Sequence, residues 1–319
     1  MLRRYEAKMD NHVKIIIDFD GTLTAEEEQV AALAEKSLDT LADEILGAPR
    51  ERLAADYAAT RARLLRTPYL YWWEVNGLVA SYCDEGAFIL NTTTLQVMLR
   101  ENPEYARAVA AAFPDVQYDP VVDCTNHLFH CHTAELPPVF RPAAGDVLLA
   151  LIEHRDRTPV ILTNSLGDKV RRHLRTLALG ELEDKLAVLG DTRQYDMDPA
   201  WTFRFPHPQL GEIQVWPVDE KHPVDLRRPV YYRALLRAAS DGSRLAVVAD
   251  TFSLPGALPL LMGIPFFLLR TEYTPDWCAE AVAAHPLGRV LDDLADLPAA
   301  LDTLPRSGYA APTVSGLSR

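Results

Sequence analysis

Four cysteines in 319 residues, Cys83, Cys124, Cys131 and Cys278, are too few and too scattered for a disulfide scaffold. Nor is there an excess of positive charge. The 32 Lys and Arg residues stand against 45 Asp and Glu, a formal net charge of −13, and no basic stripe interrupts it. Nucleic acid and an anionic membrane surface are therefore not expected as partners. No stretch approaches about 18 uninterrupted apolar residues. The opening "MLRRYEAKMDNHVKIIIDFDG" carries positive charge but no apolar segment of signal-peptide length before its acidic residues. A cytoplasmic protein, neither secreted nor spanning a membrane, is expected. Internal repeats are also lacking.

What remains is ordinary globular composition, 48% hydrophobic and 24% charged, on a chain long enough for a core and a second domain. "VKIII" (13–17) is a β-branched run ended by a polar, Gly-containing turn, and it reads as a buried strand. Similar runs recur at "TPVILTNS" (158–165), "RLAVVAD" (244–250) and "GIPFFLLR" (263–270). Helical stretches at 144–155, 166–179 and 229–240 lie between them, an alternation that predicts an α/β protein with an open parallel, Rossmann-like sheet. The interval 25–138 is helical in period with no convincing buried strand. It reads as a large helical cap inserted after the first strand, leaving a discontinuous core of 1–24 and 139–305. A smaller β insertion is placed at 191–226, with a hairpin around Gly211, and the Pro/Ser/Gly-rich tail 306–319 is read as mobile.

Three of these strands end in Asp18, Thr163 and Asp250, at the end of the sheet where ligands gather. In "IIIDFDGTLT" (15–24), Asp18 is a fixed nucleophile at the end of a strand, and Asp20 returns beside it once the chain turns. Attack by Asp18 on a phosphoryl group divides one hard displacement into two easier ones, with Asp20 handling the proton. Two carboxylates repel a phosphate, so a hard cation such as Mg²⁺ is needed, held by Asp18, Asp20 and Asp250. Gly21 permits a sharp turn that brings backbone N–H groups toward phosphate oxygens, and Gly21 and Thr22 are substrate-binding candidates.

"DFDGTLT" resembles the first motif of the haloacid dehalogenase (HAD) superfamily, in its phosphatase and phosphotransferase branch. The resemblance implies a Mg²⁺-dependent phosphatase acting on a small phosphorylated metabolite through a phospho-aspartate at Asp18. "VILTNS" is similar to the second motif, which implies that Thr163 bonds phosphoryl oxygens. Asn164 is a substrate-positioning candidate, and Ser165 a helix N-cap in capping-box spacing with Asp168. The third motif supplies a cation before Pro and a helix. Arg228 in "RRPVYYRALL" fits that layout, 22 residues before Asp250, and Lys221 in "VDEKHP" competes from 29 residues before it. The fourth motif, "VVADTFSLPGA", supplies Asp250 but has Thr251 and Leu254 where a second acid would fall.

A mutase returning the phosphoryl group to a sugar phosphate, and a catalytically weak scaffold binding a phospho-ligand or a protein, are the alternative readings. "CTNHLFHCH" (124–132) gathers Cys and His without a familiar zinc layout and is assigned to the returning arm of the cap, where one or more of its residues meets substrate. "YLYWW" (69–73) is read as core rather than ligand site. "AEEEQ" (25–29) is read as a solvated helix N-terminus.

Overall fold

The computed structural model describes residues 12–304; the tail at 306–319 lies outside the described residues. Val13–Ile17 (β1) is an inner strand. With it run Arg157–Leu162 (β2), Ala187–Leu189 (β3), Arg244–Ala249 (β4), Phe266–Leu269 (β5) and Gly288–Leu291 (β6). All pairs are parallel, in the order β6-β5-β4-β1-β2-β3. The unbroken isoleucine run follows from this position. Ile15 and Ile17 pack with Val147, Leu148 and Val248 on one face, whereas Ile16 joins Leu162, Val247 and Phe266 on the other. A strand covered on both faces has no solvated side to populate with polar residues, and each buried Ile contributes about 1.5–3 kcal/mol.

Ile17 pairs with Ile161 of β2 and Val248 of β4, so the residues just past these three strands emerge together. The chain builds outward from β1 to β2 and β3, then resumes on the opposite side at β4. β1 and β4 therefore flank the point where strand order reverses, the usual ligand crevice of such sheets.

The segment inserted after β1 contains five α-helices, Val30–Thr40 (α1), Arg50–Leu64 (α2), Ala87–Glu101 (α3), Pro103–Ala112 (α4) and Pro120–Glu135 (α5). The starts of α4 and α5 are written locally. Asn102 and Asp119 accept hydrogen bonds from the N–H groups two and three residues on, and a proline follows each. These helices share their own apolar core, which includes Leu38, Leu53, Leu95, Leu99 and Leu128. The strands leading out and back lie side by side: Ala25 N–H donates to the Val139 carbonyl at 2.8 Å, and Thr24 bridges Phe140.

Two expectations for this segment are corrected. Trp72–Val75 and Leu78–Tyr82 form an antiparallel hairpin within it, turning at Asn76 and Gly77, both with positive φ. Asn-Gly is the sequence signal for that turn. The hairpin is fastened to the sheet domain. Tyr82 Oη donates to the Pro223 carbonyl at 3.0 Å, and the Glu85 carboxylate just beyond accepts the N–H groups of Phe252 and Ser253 at 3.2 and 2.7 Å. The acidic run at 25–29 is not a solvated helix start either, because Glu26 is only 7% exposed and Glu27 pairs with Arg141.

The remaining core helices include Ala144–Glu153 (α6), Gly167–Leu174 (α7) and Pro229–Ala238 (α8). The expected hairpin around Gly211 is present, pairing Phe205–His207 with Gly211–Ile213, and a second pairs Val215–Pro217 with Pro223–Asp225. Among the described residues, no helix is long and apolar enough to cross a membrane.

Candidate active site

Asp18 follows β1 directly, its N–H held by the Val248 carbonyl at 3.0 Å. Its carboxyl is pushed well above the ordinary range by burial, then by the charges of Asp250 and Asp20. Asp20 is held from a different element. Ser165, past the end of β2, donates its hydroxyl to Asp20 Oδ2 at 2.5 Å. Lys169, on the first turn of α7 and 4% exposed, donates to Asp20 Oδ1 at 3.2 Å and to Ser165 Oγ at 2.9 Å. Ser165 lies two residues before α7 and Lys169 in its first turn, and both reach the same carboxylate.

Asp250 closes the strand ends on the β4 side. Thr22 Oγ1 donates to Asp250 Oδ1 and accepts the Asp250 N–H, each at 3.1 Å. Burial pushes the Asp250 carboxyl up to about 7, and the Arg141 charge pulls the other way. Arg141 does so while donating to the Gly21 carbonyl through Nε and Nη2, at 3.0 and 2.6 Å. Gly21 itself has φ of 79°, and a Cβ there would sit 2.1 Å from Asp250 Oδ2. Only glycine combines that backbone with that approach.

The three carboxylates border one cavity of ≈ 660 Å³, its mouth included, which opens between the strand ends and the inserted helices. Asp18, Asp20, Asp250, Thr163 and Asn164 line its floor. Thr163 is 1% exposed and accepts the Ser165 N–H on its hydroxyl at 3.1 Å, leaving its O–H free to donate. Asn164 Oδ1 accepts the Gln194 N–H at 2.7 Å, and the Gln194 side chain donates to the Leu162 carbonyl at 3.0 Å. The wall is supplied by the insert: Trp73 from the hairpin, Phe88 and Thr92 from α3, Asn126, Phe129 and His130 from α5. Burial and the Lys169 charge lower the His130 pKa, favouring neutral imidazole.

The structure thus brings together Asp18, Asp20, Thr163, Asn164, Ser165 and Asp250, and separates the rest. Arg228 is fully buried away from the cavity lining, donating to the Gln194 carbonyl at 3.1 Å and the Ala80 carbonyl at 2.5 Å. Burial lowers its pKa to about 10. Lys221 is exposed, with its ammonium 4.7 Å from the centre of the Tyr69 ring. Lys169 is the residue whose ammonium reaches an aspartate past the strand ends, through Asp20. Gly21 and Thr22 shape the Asp250 side rather than line the cavity. Ser165 is not a helix cap: α7 begins after Leu166 with no side-chain cap, because the serine hydroxyl is committed to Asp20. In the 124–132 stretch, Asn126, Phe129 and His130 reach the cavity, while Cys131 approaches the His127 ring at 3.7 Å on the exposed side. Glu26 and Trp73, which sequence reasoning assigned elsewhere, also line it.

Asp18 and Asp250 offer two hard oxygen donors that repel one another, which suits a divalent cation. Among the described residues, no three Asp, Glu, His or Cys side chains group to hold a metal alone. Mg²⁺ requires only one or two carboxylates, with water and substrate oxygens completing its shell.

No family model matches the chain, and no curated protein does. Among solved structures, a haloacid dehalogenase-like family hydrolase from Xanthomonas campestris is 13% identical, covering 92% of this chain and 95% of its own, at a TM-score of 0.42. A 2-haloacid dehalogenase from Pseudomonas syringae pv. tomato is 16% identical over 91% of this chain and 98% of its own, at 0.43. A predicted phosphoglycolate phosphatase from Haemophilus somnus is 15% identical over 91% and 97%, at 0.44. These values are too low to carry a reading of the site, which rests on its own side chains.

Proposed function

We propose that the chain is a HAD-superfamily hydrolase that removes phosphate from a small phosphomonoester, with Asp18 as nucleophile, Asp20 as general acid and base, and Mg²⁺ as cofactor. The observation that carries this reading is Asp20 fixed between Ser165 and Lys169 beside a strand-end Asp18 in one cavity.

In the first step an Asp18 oxygen bonds to phosphorus as the ester P–O bond breaks, and Asp20 gives its proton to the departing alcohol oxygen. In the second, water attacks the phosphorus of the acyl-phosphate and leaves its proton on Asp20. The Asp18–phosphorus bond breaks and phosphate departs. Ser165 and Lys169 hold the Asp20 carboxyl toward the leaving group, and the Thr163 hydroxyl and Lys169 ammonium meet phosphoryl oxygens. Asp18, the Asp20 backbone carbonyl and Asp250 would hold Mg²⁺, which, when bound, offsets the crowding of negative charge. The rings of Trp73 and Phe88 exclude bulk water from this floor.

Phosphate release in heavy-oxygen water tests it. One solvent oxygen in each phosphate, release that ceases on chelation of Mg²⁺, and none from Asp18→Asn are expected. Phosphate carrying no solvent oxygen, or product that is an isomeric phosphate, supports the mutase reading instead.

A further inference from the structure

Beyond the three carboxylates of the proposed chemistry, a fourth faces the same cavity. Glu26 is 7% exposed, and its Oε1 accepts the Phe88 N–H, at the start of α3, at 3.2 Å. No Lys or Arg pairs with it among the described residues. A buried carboxylate without a counter-ion is costly, and burial followed by the Asp250 charge pushes the Glu26 carboxyl well above its ordinary range. Such a group is retained where a ligand supplies what the protein does not.

Its neighbours narrow the ligand. Trp73, Phe88, Phe129 and Tyr195 line the same cavity, Trp73 and Tyr195 with ring centroids 4.9 Å apart, and Phe88 and Phe129 edge to face at 5.6 Å. No Lys or Arg is among the lining residues, and Lys169, behind the floor, is engaged by Asp20 and Ser165, with its ammonium 5.7 Å from the centre of the Phe129 ring. A leaving group with a second anion would meet carboxylates and ring faces with nothing to neutralise it. A positively charged nitrogen would bring Glu26 the counter-ion that lets its carboxyl ionise, beside electron-rich rings that favour desolvated ammonium groups.

We propose that this cavity selects a phosphomonoester whose alcohol carries a cationic nitrogen, an amino- or ammonium-alcohol phosphate, with Glu26 and the surrounding rings receiving the cation. The selectivity rests on the hydrolase reading above, but the cation site is measurable without turnover.

Three esters are compared as substrates of the wild-type protein: choline phosphate, its neutral isostere 3,3-dimethylbutyl phosphate, and phosphoglycolate. Choline phosphate is expected to exceed the isostere in kcat/KM by at least about tenfold, with phosphoglycolate poorest and the preference shrinking toward unity in Glu26→Gln. Equal or better turnover of the isostere or of phosphoglycolate overturns the proposal and leaves hydrolysis standing. Tetramethylammonium is titrated in parallel into wild type, Asp18→Asn and Glu26→Gln, followed by calorimetry. Saturable binding to the first two and its loss in the third are expected. If no ester is hydrolysed, that pattern upholds the cation site and rejects the hydrolase, whereas absence of binding to wild type overturns the site itself.

Discussion

Lys169 reaches Asp20 from the first turn of α7, and no other Lys or Arg donates to that carboxylate among the described residues. Replacing it with Met removes the ammonium while keeping the buried stem, and kcat/KM is expected to fall by about 10²–10³-fold. Lys221→Met, by contrast, removes only an exposed contact to Tyr69 and stays within about twofold of wild type. Steady-state kinetics on both variants check the assignment. At this scale the sequence was readable where chemistry is tied to a strand end: Asp18, Thr163 and Asp250 terminate apolar runs and converge because parallel register aligns them. Lys169 was not readable, because the motif layout points to a cation on the approach to β4 and not at the start of α7. Its signal was the Ser-x-x-x-Lys spacing across the start of a helix. Glu26 had no signal: three successive glutamates look alike until folding buries one of them.

The hairpin from Trp72 to Tyr82 is the element that sequence periodicity missed, since two short strands among five helices are outweighed by the helical pattern, although Asn76-Gly77 marks the turn. Its consequence is mechanical. Arg228 joins the Ala80 carbonyl of the hairpin to the Gln194 carbonyl beside Asn164, so a residue expected to bind phosphate instead ties the cavity wall to its floor. Arg228→Met leaves both carbonyls unpaired in a dry interior. It is expected to lower unfolding free energy by about 1–3 kcal/mol for each carbonyl left without a partner. Urea denaturation followed by circular dichroism measures the loss. An unchanged midpoint would contradict the tie.

At the scale of the whole molecule, the α/β core was legible because both sheet faces are apolar and the alternation of strands and helices repeats. Which side chains of the insert face the strand ends was not, because contacts between distant segments leave no periodic trace. Burial also sets how the molecule responds to acid. His173, on α7 against Phe19, has its pKa lowered to about 4 by burial and then by the Lys169 charge. The unfolded chain takes up that proton near pH 6.5, so between these values it binds more protons than the folded one. The contribution to stability is complete above about pH 6.5 and is lost as pH falls toward about 4. The stability difference between wild type and His173→Asn, from denaturation at a series of pH values, is expected to shift against wild type over that window; a pH-independent difference would contradict the burial. Hydrolysis by this route requires a covalent bond between Asp18 and phosphorus. Incubation with an ester carrying a labelled phosphoryl group, acid quench and peptide mass spectrometry should place that label on Asp18 in wild type and nowhere in Asp18→Asn. Multiple turnovers with the label never found on Asp18 would contradict a phospho-aspartate there.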